Sequence, residues 1–543
     1  MFKNKILILK SISLLLYSFL LSISLFYTNK INLLKYTNSL KNPNIYILDI
    51  NDIPHIFQYF IPVFLIITLT IILLKHIRIN LNTKLNFSKN NLTILLFLAW
   101  FPFLLAFYPA VGMNDTYSIL HSITGSSVQH PFYYGLFIYL PAKISLKLFD
   151  TMTYGLFVST ICQMLFMSYS IVYVISWLNQ KLKNKYVINI LILYFAFTPI
   201  IANYSIAAVK DTIFSITLML WIPFLYDTFV ENKNIFKNKN IKYYFYFLAF
   251  MTMAMRNNGS YIFIILLLLL LYKCITERKQ LLKSSIILFI ICSLPNFYLS
   301  VFRDKPQLFQ EAVAIPIQQI SRTIAVDGTL NEFQKNFLDK LIPLKEIKKS
   351  YNPFSVDSIK WNSKFNRKYL QNNKGYFFKV WITGFFNNKH IYLDAWMLQT
   401  FGCWANKTQD WVDQSKFGWS LTDDVLKKGV SPSENNKLKV SSIRLPDTFK
   451  NALGNYLFKN SDFINPGNCF WILGYIALLI IFKNNISSLI VLLPIFLCWI
   501  TLILAVPATF VYRYAFMYPL CLPFLIFIPF IYTKEHGDNN SNV

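Results

Sequence analysis

The stretch LTILLFLAWFPFLLAFYPAVGMND, Leu92 to Asp115, decides how the whole chain is read. Its first part, residues 92–110, is a predominantly apolar run of membrane length, since about 18 or more such residues in a helix cross a hydrocarbon core of about 30 Å. The run then gives way to small residues and a carboxylate, Asp115, and two imidazoles follow, His121 and His130. Comparable runs occupy residues 6–27, 57–74, 187–202, 212–230, 243–255, 260–271, 286–301, 470–482, 488–506 and 514–532, and residues 132–178 hold enough apolar sequence for one or two more. They are rich in Leu, Ile and Phe and lack the two-residue alternation of an outer-membrane barrel, so the spans are helices.

The composition agrees. The chain has 543 residues, 55% of them hydrophobic and 17% aromatic, with a mean hydropathy of +0.43, far too apolar for a soluble enzyme. Residues 6–27 exceed a signal-peptide core and lack a small-residue cleavage site, which identifies a retained first helix. The net charge of +27 sits in short links such as NQKLKNKY and NKNIFKNKNIKY, where positive-inside topology accounts for it, and no nucleic-acid partner is implied. The excess of lysine over arginine, 44 to 8, points to an AT-rich bacterial genome. Seven cysteines form no CxxC pair, so neither zinc site nor disulfide framework is indicated; Cys403 and Cys469 are the two that could meet outside the membrane.

With the basic links inside, the third helix exits at Asp115, and residues 132–178 must cross an odd number of times, most simply once. The expectation is an all-α polytopic membrane protein of about 12 transmembrane helices, in a bacterial cytoplasmic membrane, with both termini cytoplasmic. Residues 1–90 form a two-helix segment, 91–302 a membrane core with a first outer loop at 111–131, 303–468 an extracytoplasmic domain, and 469–543 the last helices and a short tail. The insertion reads as mainly helical: TLNE at residues 329–332 has capping-box spacing ahead of the amphipathic FQKNFLDKLI, and GYFFKVWITGFF is too apolar for a linker.

This topology puts Asp115, His121, His130, Lys210, Asp211, Arg256 and Arg513 at outer helix ends, beside the insertion. Asp115 can take a proton from an acceptor hydroxyl, bind a metal, or sit in interfacial water. His130 can orient that base or bind phosphate, and Pro131 starts the next helix; His121 has only its proximity. Lys210 and Asp211 open a helix whose N-terminus favours anions. Asp211 either caps the helix, pairs with Lys210, or joins Asp115 around a divalent ion, Mg or Mn; no cofactor is obligatory. Arg256 and Arg513 carry guanidinium forks suited to phosphate or to anchoring at the interface. In IPIQQISRT, Gln318, Gln319 and Arg322 occupy neighbouring helical positions, facing either a sugar or phosphate ligand or the packed interior. The stretch YNPFSVDSIKW, 351–361, reads chiefly as a turn with aromatic packing. Walker A, HExxH and GxSxG patterns are absent from the sequence, leaving nucleotide hydrolysis, zinc proteolysis and serine hydrolysis without support. Cations gathered around a carboxylate suit transfer from a donor carried on a lipid phosphate.

The Asp115 loop with His130-Pro131, the Lys210-Asp211 helix start, RNNG at 256–259, AIPIQQISRT at 314–323, YNPFSVDSIKW and the Arg513-Tyr514 tail together resemble an uncharacterised family of bacterial multi-pass proteins related to the C-type (GT-C) membrane glycosyltransferases. The resemblance spans about residues 100–518. It implies a GT-C-like helical core, a polyprenyl-phosphate-linked sugar as donor, catalysis at Asp115, and donor-phosphate binding by Lys210 and Arg256; the residues themselves add His130 beside the catalytic carboxylate and Arg513 to the phosphate clamp, with a glycan or lipid of the cell envelope as the expected acceptor. The chain departs from that pattern at Asn257, where histidine is common, and at Phe132, where a second proline is usual. The two helices before Leu92 are an addition to the usual core. The expected activity is hexosyl or pentosyl transfer, inverting if by single displacement. The rival expectations are a flippase or transporter, which needs mid-membrane charges or discontinuous helices in related halves, a polymerase or ligase of lipid-linked saccharides, and a non-catalytic envelope assembly factor.

Overall fold

The computed structural model describes residues 2–41, 46–113, 116, 119, 130–302, 308–406, 419–420, 446–459, 465–509 and 512–531. Eight described helical segments are long and apolar enough to cross a membrane, or nine if one bent pair counts as a single span. The protein is an all-α polytopic membrane protein. Among the described residues the one sheet is a pair of two-residue strands, β1 (Val111–Gly112) antiparallel to β2 (Trp419–Ser420).

Two helices lead, α1 (Phe2–Tyr36) and α2 (Ile53–Lys75), followed by α3 (Lys89–Ala106). The segment after His130 folds as an antiparallel pair, α4 (Phe132–Phe149) and α5 (Thr153–Leu182), reversed at Asp150 with a left-handed φ of 55°. Only α5 belongs to the span-like set, so one crossing from this segment is what length and composition give. Next come α6 (Lys185–Phe197) and α7 (Pro199–Ile206), bent by 56° where Pro199 prevents a continuous helix. The core then continues through α8 (Lys210–Leu225), α9 (Lys239–Met255), α10 (Gly259–Lys273) and α11 (Arg278–Phe302). Of these α8 is the axis, buried at every position from Asp211 to Leu225. In contrast, α1, α2 and α11 show most of their apolar surface to the outside, as helices facing lipid do.

Against about twelve expected crossings, length and composition give eight or nine among the described residues. Three runs form short helices: α9 has 17 residues, α10 has 15, and α14 (Pro466–Phe482) has 17. At 1.5 Å per residue they rise about 23–26 Å, less than the roughly 30 Å hydrocarbon core. Each still exposes large apolar side chains, among them Tyr243, Leu268 and Ile472, so length and not burial sets them apart from the span-like helices.

The basic links do gather. The Asn179 amide bonds both backbone groups of Leu85, Asn184 donates to the Ile79 carbonyl, Lys273 to Asn232, and Lys483 to the Ile77 carbonyl. These contacts bring the links after α2, α5, α8, α10 and α14 to one end of the bundle. Lys210 and Arg256 stand at the opposite ends of α8 and α9.

The insertion has its own core, in which α12 (Ala314–Ala325) packs Ile317, Ile320 and Ile324 against Phe337, Leu338, Phe377 and Val380. The amphipathic helix forms at Glu332–Leu341, but its capping box is Asn331 with Gln334, two residues beyond the Thr329–Glu332 pair read from the sequence. Both boxes have the same spacing, and Asn331 holds the register because Gln334 also donates to Thr383. A second apolar cluster joins the insertion to α1 and α2 through Tyr27, Ile31, Ile56, Leu398 and Phe401, the last two from the α13 (Lys389–Gln399) region. The chain finishes with α14, α15 (Leu493–Ala505) and α16 (Met517–Leu525). Cys403 and Cys469 are separate buried thiols.

Candidate functional site

Where the membrane bundle meets the insertion, a cavity of about 800 Å³ opens, and His130, Lys210, Arg256 and Arg513 all line it. They arrive from four distant places in the sequence. Lys210 is the first residue of α8, so the positive end of a helix dipole backs its ammonium. Its Nζ lies 3.0 Å from His130 Nδ1. An ammonium only donates, so Nδ1 accepts, and a neutral His130 ring carries its proton on Nε2.

Arg256 follows the last residue of α9 in extended backbone (φ −152°, ψ 136°). Its Nη1 is 3.3 Å from Asp211 Oδ1, and Asp211 is 1% exposed. The Asp211 carboxylate takes no hydrogen bond among the described residues, so the charge of Arg256 is its compensation. The guanidinium also lies 5.4 Å from the Phe214 ring and 4.9 Å from that of Tyr514. Arg513 stands at the same 4.9 Å from Tyr514 and donates to its hydroxyl at 3.0 Å. One tyrosine thus holds two guanidinium groups at the cavity. The turn that presents Arg256 is tight: Gly259 N–H donates to the Arg256 carbonyl, and a Cβ at Gly259 would stand 1.7 Å from the Thr252 carbonyl oxygen.

The facing wall belongs to the insertion. It contributes Glu311, Asp357, Lys360 and Trp361. Lys360 is 2% exposed and bonds Glu311 at 2.7 Å and Asp357 at 2.9 Å. Burial works against its charge, but the two carboxylates outweigh burial and hold the ammonium above the usual lysine range. Asp357, Lys360 and Trp361 lie in the YNPFSVDSIKW stretch, which the sequence offers chiefly as a turn, and Glu311 lies outside every motif read there. The signal for the first three is the Asp357-x-x-Lys360-Trp361 spacing, an ion pair one turn apart ending on an aromatic, and it does not reach Glu311.

Gln318, Gln319 and Arg322 are not at the cavity. Gln318 donates to the Asn352 and Pro353 carbonyls. Gln319 bridges the Tyr392 carbonyl and the Trp381 indole. Arg322, 2% exposed, pairs with Asp394 at 3.4 Å and donates to the Leu40 carbonyl, while Asp394 accepts from Ile47 and Leu48. These bonds pin the α1–α2 connection to the insertion. The YNPFSV stretch then pairs with the chain before Arg513: Val356 N–H donates to the Pro507 carbonyl and Thr509 N–H to the Phe354 carbonyl, both at 3.0 Å. The two stretches thereby brace the loop that carries Arg513.

Asp115 and His121 lie outside the described residues. Thr116, the residue after Asp115, accepts at Oγ1 from Met113 N–H and donates to the Ala208 carbonyl at 2.7 Å, two residues before Lys210. Among the described residues no three His, Cys, Asp or Glu side chains gather as a metal site, and Asp211 faces Arg256.

A family model described as a family of unknown function, DUF6020, matches residues 121–542. The chain belongs to this family. No curated protein and no solved structure matches it. The DUF6020 region contains both walls of the cavity, whereas α1 to α3 and Asp115 precede it. The DUF6020 match therefore covers the bundle from α4 onward together with the insertion.

Proposed function

We propose that the protein is a membrane glycosyltransferase with a GT-C-like core, moving a hexosyl or pentosyl group from a polyprenyl-phosphate-linked donor to a glycan or lipid acceptor at the outer face of a bacterial cytoplasmic membrane. The observation that carries this reading is the convergence of His130, Lys210, Arg256 and Arg513 on one cavity at the membrane end of the insertion. Cations fixed there stabilise negative charge on a departing phosphate without reorganising.

In this reading Arg256 and Arg513, oriented by Asp211 and Tyr514, grip the donor phosphate, and Lys210 adds charge from the α8 N-terminus. Asp115 accepts the proton of the acceptor hydroxyl, and that oxygen forms the new bond to the anomeric carbon. The bond from that carbon to the phosphate oxygen breaks, and polyprenyl phosphate leaves with the electron pair. His130, held through Nδ1 by Lys210, lines the same cavity and orients phosphate or acceptor there. A single displacement of this kind inverts the anomeric centre. The proposal includes the topology read from the sequence, with the basic links cytoplasmic. A transporter reading draws on the bend between α6 and α7, but among the described residues that bend has no second counterpart in a related half.

The test is sugar transfer by purified protein in lipid vesicles from a panel of polyprenyl-phosphate sugars. Asp115→Asn is expected to lower transfer by about 10²–10⁴-fold while donor binding persists. Undiminished transfer in that variant removes Asp115 from the mechanism. Donor binding without transfer in the wild type would favour the transporter.

A further inference from the structure

We propose that the insertion wall of the cavity, Glu311, Asp357, Lys360 and Trp361, is a saccharide subsite, which rests on and deepens the glycosyltransferase reading. The two walls differ in chemistry. On the bundle side stand guanidinium, ammonium and imidazole groups. On the insertion side stand two carboxylates, one ammonium and an indole.

A sugar ring offers hydroxyls, which donate and accept, and an apolar face of C–H groups. Glu311 and Asp357 supply acceptors: Glu311 meets Lys360 through Oε2 and keeps its buried Oε1 outside any hydrogen bond among the described residues, whereas Asp357 meets Lys360 through Oδ1. Lys360 supplies a donor whose position is set by both carboxylates. Trp361 supplies the platform: it is 44% exposed at the cavity, and Arg367 steadies its ring from 5.1 Å. An open indole face of this kind, bordering a cavity lined with carboxylates, is suited to the C–H face of a sugar.

The construction is specific. Glu311 comes from the short helix Phe309–Ala312 just before α12, and Asp357 and Lys360 from the helix Asp357–Lys360 that follows the YNPFSV stretch. Gln310 donates to the Lys360 carbonyl and ties these helices together. The stretch 351–361, which the sequence offered chiefly as a turn, therefore does two things: its first half braces the Arg513 loop and its last residues face the cavity. The sugar in the subsite belongs either to the lipid-linked donor or to the acceptor, and binding experiments tell the two apart.

The experiment uses the full chain in lipid nanodiscs and three probes: a polyprenyl phosphate, the same lipid carrying a phosphate-linked hexose, and a panel of soluble hexose oligosaccharides. Trp361→Ala and Glu311→Gln are each expected to weaken a sugar-bearing probe about tenfold and to leave the bare lipid phosphate within about twofold. Trp361→Phe, which keeps an aromatic face, is expected to restore most of the loss. Weakening confined to the lipid-linked hexose places the donor sugar in the subsite, and weakening confined to the oligosaccharide places the acceptor there. Sugar-bearing probes bound equally by variants and wild type would overturn the proposal, as would equal weakening of the bare lipid phosphate. Failure of the glycosyltransferase reading registers separately, as a wild type that binds no polyprenyl phosphate; the oligosaccharide panel then decides the subsite, and wild-type binding to none of it sinks the proposal too.

Discussion

The two ends of α8 carry charges of the same kinds in opposite settings. At the end with the basic links, Lys181 and Lys233 pair with Asp227 and Glu231, and every one of these side chains keeps between 17% and 42% of its surface exposed. At the other end, Arg256 and Asp211 are buried to within 9% and 1%, and Arg256 borders a cavity. The first cluster can borrow water to satisfy its charges. The second depends on its partners, so charge there is tied to geometry. A count of ion pairs would treat the two alike, whereas burial separates a solvated network from a built site.

The largest expected effect tests that separation. Arg256→Met strands the Asp211 carboxylate and Asp211→Leu strands the guanidinium, each costing about 3–5 kcal/mol. The double variant removes both charges and is expected to regain most of the stability, read by thermal unfolding in detergent. It should not regain binding of polyprenyl phosphate. A double variant that recovers both would make Arg256 a purely structural residue and level the two ends of α8.

Gly259→Ala comes next. Its Cβ would sit 1.7 Å from the Thr252 carbonyl oxygen, so the turn must shift, costing about 1–3 kcal/mol and displacing Arg256. Weakened lipid-phosphate binding with the bundle still folded is the expected readout. Smaller still is Lys233→Gln at the opposite end, where solvent screens the pairs and the change should stay within about 1 kcal/mol.

The smallest effect concerns pH. The folded-state value of Lys360 is raised, so its contribution is complete below the ordinary lysine range and is lost only as pH climbs through the higher folded value. Between about pH 6 and about pH 9 the Lys360→Met change should therefore cost the same amount at each pH, measured as the difference in unfolding temperature. A cost that shrinks across that window would show a depressed value and a weaker hold by Glu311 and Asp357.

Much of this arrangement was legible because helix ends in a membrane protein punctuate the sequence. Lys210, Arg256 and Arg513 interrupt apolar runs, and the parity of the basic links put them on one side. Their meeting at one cavity is a matter of tertiary contact that spacing only suggested. The insertion wall was opaque for the same reason: Glu311 and Lys360 meet across a gap in sequence that no periodicity spans. Gln318, Gln319 and Arg322 show the converse. A polar stripe on a helix looks the same whether it awaits a ligand or caps buried carbonyls, and here the partners are the Asn352, Pro353, Tyr392 and Leu40 carbonyls with Trp381 and Asp394. Run length does not separate α9, α10 and α14 from the span-like helices, because the runs share a composition and differ only in how long a helix they form.

That shortness has a consequence for where lipid and protein meet. α9 and α10 rise about 26 and 23 Å and join at the Arg256–Gly259 turn, so if both cross, as the proposed topology requires, their helical parts fall short of a full-thickness bilayer. Either the leaflet dimples toward the turn or the turn sits sunk beneath the headgroup plane. Under the proposed topology the guanidinium then lies at or just below the depth of the lipid phosphates, and a phosphate-bearing lipid can reach it by sideways diffusion, without being lifted out of its leaflet.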